Sequence, residues 1–485
     1  MHSDFRLQPR RAPEPGRPFV NREPELKLVQ DKLDLGIQGK PMPSVVMCFG
    51  GAFGMGKSWL LLELKERYER PDPQVRGSGS YPTIAARLDL NRKISPALWQ
   101  DTGLNREQVI RELWRQLATQ LGTDVPDLER ASADEWAGVF VDEVAAWSAR
   151  SATPVIMLDT VDDLVRLDEP TFFWLEQHVV ERLAITDRVL FVLTSRGELR
   201  RWKRFHVRRR IDSHRLSAFD AETAGKQVNA STATSEALYH RAFGHPLITD
   251  FLGTALENRC VNLQGLDEVE EFIEPSLVQT ILGEVIGEIL KAMPEQSAKL
   301  AKPASVLRWV SVEPLRSLAE TLDLVERGRG DAYYLDELIG VLQAHHLLYW
   351  NGDRNSYEFD PTLRRLLTHF LELDDPALFC EAHCAAFDFH NGHLNEYPQY
   401  LARYVPELAY HRAVLDRCER PVQQLPTIQA WWGQFLSEQA LTSPEPWTEL
   451  VQALEQDEEL KEILPSGDYQ RLHSEARRRA ARAEG

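Results

Sequence analysis

The stretch PSVVMCFGGAFGMGKSWLLLEL, residues 43–64, holds a short apolar run, a glycine-rich turn, and then a lysine and a serine that open a helix. Within it Gly51, Gly56, Lys57 and Ser58 satisfy G-x-x-x-x-G-K-[ST] in a strand-to-helix setting. Gly51, Gly54 and Gly56 let backbone N–H groups turn inward around a phosphate, where side chains would obstruct them. The helix beyond adds the positive end of its dipole. Lys57 is placed to reach the β and γ phosphates of ATP or ADP, and Ser58 to offer its hydroxyl to Mg²⁺. Met55 and Trp59 flank these residues and join the nucleotide-binding set.

Outward from this loop, apolar runs at 45–49, 83–90, 154–159 and 189–193 read as strands. They alternate with helical periodicity at 57–68, 107–121 and 133–149. That alternation predicts βαβ units and a parallel sheet with flanking helices, a P-loop NTPase core over 19–215. The run PVIMLD ends in Asp159, a carboxylate at the tip of a buried strand, suited to hold hydrated Mg²⁺ beside Ser58. Asp162 and Asp163 follow where the chain turns away, and either can orient or deprotonate an attacking water. Arg196, at the tip of the fourth strand, can bind phosphate oxygens bidentately. These three form the predicted catalytic set.

The chain has 485 residues, 43% apolar and 27% charged, with a formal net charge of −18. This composition supports several packed domains and argues against a surface wholly devoted to nucleic acid or anionic lipid. No apolar run approaches eighteen residues and no signal-peptide core opens the chain, so a soluble, cytoplasmic protein without membrane attachment is expected. Five scattered cysteines do not suggest a disulfide framework.

Four motifs then carry a family resemblance. Phe19-Val20-Asn21-Arg22-Glu23-Pro24-Glu25-Leu26 resembles the F-V-G-R-E-x-E-L opening of signal-transduction NTPases of the STAND class, which include NACHT and NB-ARC proteins. Asp159-Thr160-Val161-Asp162-Asp163 is similar to the NACHT Walker B, Thr194-Ser195-Arg196 to the NB-ARC T-T-R sensor, and Gly244-His245-Pro246-Leu247 to G-L-P-L. The resemblance implies that Val20, Asn21, Arg22 and Pro246 line the nucleotide pocket. It also implies a switch that self-associates in its ATP state, often in defence signalling. Asn21 replaces the usual glycine, and Phe359 stands where the M-H-D histidine would hold ADP.

Beyond the core, the pattern predicts a helical lid at 216–295, a winged-helix domain at 296–373 and a C-terminal helical domain at 374–485. A proline- and arginine-rich leader at 1–18, expected to be flexible, precedes the fold. Neither an N-terminal effector domain nor a long sensing solenoid is recognisable, so a separate effector or sensor protein is expected as partner. Winged helices often read DNA, yet 331–344 contains Asp336 and Glu337 and no Lys or Arg. The stretch 196–215 does hold nine Lys/Arg against two acids, among them Arg200, Arg201, Lys203, Arg204, Arg208, Arg209 and Arg210, enough to grip nucleic acid or an acidic partner. A DNA-handling ATPase of the initiator, transposition or transcription-regulator kind, and a scaffold that binds ATP without hydrolysing it, are therefore alternatives. Cys380, His383 and Cys384 lie near one another, with His390, His393, His411 and Cys418 following. Their spacing matches no standard zinc pattern, and buried thiols are the expectation.

Overall fold

The computed structural model describes residues 19–20, 22–69, 82–128, 131–150, 152–197, 202–259, 261, 263, 273–352, 354–418, 427–438 and 443–483. The leader, Asn21, Arg200 and Arg201 lie outside them. The chain divides into two compact units, Met1–Ile273 and Glu274–Gly485.

In the first unit, α1 (Glu23–Ile37) buries Leu26, Val29 and Leu33 and precedes β1 (Val46–Gly50). After the glycine loop comes α2 (Lys57–Glu69), then β2 (Thr83–Asp89), α3 (Arg106–Leu121), α4 (Ala133–Arg150), β3 (Thr153–Asp159), α5 (Val161–Leu167) and β4 (Leu190–Ser195). A fifth strand, β5 (Ile211–Arg215), closes the sheet in the order β2-β3-β4-β1-β5, and every pairing is parallel. The sequence reading placed 211–215 in a basic patch and took the chain from Ser213 onward as helical, which the strand corrects. IDSHR has no apolar run because none of its residues is fully buried, and the strand is held by backbone pairing to β1. The central strands carry the apolar signature of a sheet covered on both faces, and β3 and β4 are buried throughout. From β1 the chain crosses to β2 and returns strand by strand to β4, then passes to the other side of β1. This reversal leaves a crevice at the carboxyl ends of the strands, where α/β sheets place ligands. Three helices complete the unit: α6 (Ala221–Val228), α7 (Thr232–Ala242) and α8 (Pro246–Asn258).

The second unit opens with α9 (Pro275–Leu290), a helix the sequence reading grouped with the lid. Its apolar face packs instead on α13 (Pro361–Asp374), close enough that a Cβ on Gly283 would stand 3.3 Å from Phe370. Helices α10 (Glu295–Ala304), α11 (Val312–Thr321) and α12 (Tyr333–Ile339, continued by Gly340–Ala344) follow. They lead to a two-stranded hairpin of β6 (Leu348–Asn351) and β7 (Ser356–Phe359), and Val310 makes an isolated antiparallel bridge to Tyr357. This is a winged-helix arrangement. Phe359 is a core residue of its hairpin, 2% exposed, which explains an aromatic at that position on packing alone. On α12, Leu335, Asp336 and Glu337 are exposed.

Behind the hairpin, α14 (Pro376–Glu396) packs along α15 (Leu401–Leu415), followed by α16 (Glu445–Gln456) and α17 (Ser466–Ala483). Here the expectation of free thiols is corrected. Cys380 and Cys418 form a disulfide because the packing of α14 on α15 brings their Cα atoms to 6.3 Å across 38 residues of sequence. Cys48 and Cys384 are free. Among the described residues no helix is long and apolar enough to cross a membrane.

Candidate functional site

Five strand ends form a row: Asp89, Asp159, Thr194-Ser195, Gly50 and Arg215, on β2, β3, β4, β1 and β5. The glycine loop leaves this row from β1 and is stitched to β4, with Gly51 N–H donating to the Ser195 carbonyl at 3.2 Å. Gly54 and Gly56 have φ values of 79° and 82°, which side chains with a Cβ rarely adopt. A Cβ on Gly54 would also stand 2.5 Å from the His245 ring and 2.9 Å from Leu247 Cβ, so glycine is required there on two counts. Around Gly56 a Cβ would meet nothing, so the backbone conformation alone calls for glycine.

Lys57 Nζ donates to the carbonyls of Gly51 and Ala52, at 2.7 Å each, folding its charge back over the loop. Ser58 and Trp59 follow in the first turn of α2, both half-buried, and Met55 is buried. The residues present fit a nucleotide phosphate: a loop of positive-φ glycines, a lysine turned into it, and a helix N-terminus behind.

Arg22 is buried, and desolvation lowers its pKa below the ordinary arginine value. Its guanidinium donates to the carbonyls of Met55 and Ser217, both at 3.0 Å, pairs with Glu25 at 3.3 Å, and lies 4.9 Å from the Phe219 ring. It thus ties the glycine loop to the segment after β5. Val20 is half-buried beside it in sequence. His245 makes a second tie. As N-cap of α8 it accepts from Ile248 N–H through Nδ1 at 3.4 Å, so Nε2 carries the proton that it donates to the Phe53 carbonyl at 2.8 Å. Pro246 is the buried first residue of α8, and its carbonyl accepts from Gln227.

The acids are brought together as a charged cluster. Asp159 is 1% exposed; its Oδ1 accepts from the Thr194 hydroxyl and its Oδ2 from Arg87 Nη2 at 2.6 Å. A carboxylate has about four acceptor sites, so two remain for a water of a hydrated metal, and the Mg²⁺ set of Ser58 and Asp159 fits. Asp162 and Asp163 fall in the first turn of α5, set inward because Thr160 takes a left-handed conformation with φ 58°. Asp163 accepts from Asn91 at 2.8 Å and Arg166 at 3.1 Å. Arg196 closes the cluster: its backbone N–H donates to Asp162 at 3.0 Å, and its guanidinium lies 3.5 Å from Asp162 and 3.4 Å from Asp163.

Sequence reasoning missed Arg87, Asn91 and Asp89. The signal was present in TIAARLDL, where one arginine interrupts an otherwise apolar strand that ends in a carboxylate. Burial, then the neighbouring Asp159 carboxylate, pushes Asp89 up to about 6. His245 was named within its motif but given no role.

The basic stretch proves less free than its composition suggested. Arg204 pairs with Glu181 and Arg210 with Asp187, Lys203 lies over the Phe173 ring, and Arg196 is taken up by the acids. Arg208 and Arg209 are exposed.

Loop, sheet order and strand-tip carboxylate together define an α/β P-loop NTPase core. No protein-family model matches the chain, and no curated protein does. Among solved structures it is similar to the ORC2 protein of Aeropyrum pernix in ADPNP–ADP complexes, at 15% identity over 75% of this chain and 96% of that one, with a TM-score of 0.44. It is also similar to a Walker-type ATPase of Pyrococcus abyssi, at 12% identity over 72% and 95% of the two chains with a TM-score of 0.47. A third is the ORC1 protein of Aeropyrum pernix in complex with DNA, at 14% identity over 74% and 94% with a TM-score of 0.36. Likeness this distant leaves function to the site itself.

Proposed function

We propose that the chain binds ATP with Mg²⁺, hydrolyses it slowly, and uses the cycle as a conformational switch. The observation that carries this is the seating of the Gly51–Ser58 loop at the point of sheet reversal, in one row with Asp159 and in contact with α8 through His245. Lys57 exchanges the Gly51 and Ala52 carbonyls for phosphate oxygens. Ser58 and Asp159 would hold Mg²⁺, which would supply neutralisation of the phosphate charge. Arg196 shares its guanidinium between the terminal phosphate and the acids, which frees Asp163 or Asp162 to hold the attacking water and take its proton. Because Arg22 and His245 donate to carbonyls of the same loop, any rearrangement of that loop is felt at 217 and at the start of α8. Differential affinity of ATP for two such arrangements is all a switch requires.

For the output, DNA handling is the reading we favour. The winged-helix arrangement supports it. The acidic exposed face of α12 makes a poor groove reader, so the reading assigns contact to Arg208 and Arg209. A STAND-type switch, self-associating and recruiting a separate effector or sensor, is the second reading. The seating of Gly54 against the Gly244-His245-Pro246-Leu247 segment favours it.

The test is phosphate release and light-scattering mass with ADP, ATP and a non-hydrolysable analogue, with and without duplex DNA at low salt. ATP turnover lost in Lys57→Ala supports the ATPase; equal turnover in the variant overturns it. A salt-sensitive DNA complex lost in Arg208→Glu/Arg209→Glu supports DNA handling. Nucleotide-dependent growth in mass with no DNA complex supports the STAND-type switch.

A further inference from the structure

The second unit contains a buried constellation that the nucleotide cycle does not use. Glu407 and His411 stand four residues apart on α15, hence on one face of it, and His390 comes from the helix packed alongside, α14. One ligand atom from each of the three lies within 4.8 Å of the other two. The residues are 1%, 2% and 0% exposed in the order His390, Glu407, His411. Independently of that geometry, His390 Nδ1, Glu407 Oε2 and His411 Nε2 are each buried with no hydrogen-bond partner. A native interior leaves few such atoms unpaired, and one on each of three residues whose ligand atoms come within 4.8 Å of one another calls for a missing group.

We propose that His390, Glu407 and His411 bind a structural zinc ion that pins α14 to α15. The surroundings are set for it. Arg308 Nε lies 3.3 Å from Glu407 Oε1, so that oxygen is taken and Oε2 is the one left over. His383 Nδ1 and His411 Nδ1 approach to 2.9 Å, a distance that requires one proton between them. When His411 supplies it, His411 Nε2 carries a lone pair, and His383 becomes the outer group that fixes the ring, as metal-bound histidines generally have. Two imidazoles and one carboxylate suit a borderline transition ion rather than Mg²⁺ or Ca²⁺, which prefer oxygen. Near-complete burial bars a substrate and makes the role structural, with a water filling the fourth position of a tetrahedron. The cysteines that drew attention to this region are outside the ligand set, since Cys380 and Cys418 are bonded to each other.

The test uses the tag-free, full-length chain purified without chelator, and then the chelator-stripped chain titrated with Zn²⁺ or Co²⁺. About one zinc per chain is expected, with visible Co²⁺ bands of the intensity typical of four-coordinate sites. Binding should weaken at least tenfold in Glu407→Gln and His411→Ala, weaken less in His383→Gln, and stay unchanged in Lys57→Ala. If His411→Ala does not fold, Glu407→Gln and the wild-type Co²⁺ spectrum decide. A folded chain that carries no metal as purified, and takes up neither ion in stoichiometric amount after stripping, overturns the proposal. Iron in place of zinc overturns the identity of the ion.

Discussion

The acids at the strand ends and the histidine–carboxylate cluster between α14 and α15 bury charge in opposite ways. At the strand ends Asp159, Asp162 and Asp163 are each held by several donors, drawn from β2, β4, α5 and the Asn91 turn. Three of those donors sit on long side chains, Arg87, Arg196 and Arg166, whose guanidinium groups can be exchanged for another partner. Between α14 and α15, three residues whose ligand atoms lie within 4.8 Å of one another each keep a buried polar atom without a hydrogen-bond partner. A site whose occupant changes every cycle needs substitutes so that its acids are never bare; a site with a permanent occupant does not. Leaving a buried charge unpaired costs several kcal/mol, and both regions are built around that cost.

The largest effect that tests this contrast is in the first unit. Lys57→Ala should lower ATP turnover on the order of 10²–10³-fold in a phosphate-release assay, the usual loss when one preorganised donor to the reacting group is removed. Denaturant stability should change little, since Lys57 is only half-buried and donates to carbonyls of its own loop. A large loss of stability would mean that the loop is structural.

In the second unit Arg308→Met strands both Glu407 and Asp457, and urea unfolding should register a loss of about 3–5 kcal/mol. The double variant Arg308→Met/Glu407→Gln should recover part of it. If the single variant is neutral, these charges are not desolvated as described.

Gly54→Ala sharpens the link between loop and α8. The positive φ and the His245 contact together predict strain of about 1–3 kcal/mol, read as an equivalent loss of nucleotide affinity by calorimetry. Relief by His245→Ala in the same chain would locate the strain; no relief would assign it to the backbone alone.

The smallest effect concerns pH. Asp89 rises from its ordinary 3.8 to about 6 on folding, first through burial and then through Asp159. The folded state therefore binds more protons than the unfolded state between those values, so this group's contribution to stability falls as pH rises through the window. Asp89→Asn should flatten that slope in urea titrations between pH 4 and 6 and leave the variant the more stable one at pH 7. A slope identical to wild type would place the carboxylate in water.

Much of the first site was legible because its parts are consecutive. A glycine loop cannot be spelled another way, and Lys57 and Ser58 follow from it; an apolar run ending in Asp159 announces a buried strand with a polar tip. The edge strand Ile211–Arg215 was illegible because none of its residues is fully buried, so it has no apolar period, unlike β2 at the other edge. Arg87 was visible as an oddity, but its partner lies 72 residues away, so the pair exists only once β2 and β3 are in register.

By itself, then, the sequence determined the phosphate loop, the alternation of strands and helices, and the acids that follow the third strand, since all of these are encoded in local spacing and backbone preference. Only the tertiary structure decided what those groups meet. It set Arg87 on Asp159, Arg196 on Asp162 and Asp163, and His245 on the loop; it joined Cys380 to Cys418; and it turned His390, Glu407 and His411 toward one another. The reason is physical. Period and propensity act over a few residues, whereas the cost of burying charge is settled among groups that only packing brings within reach.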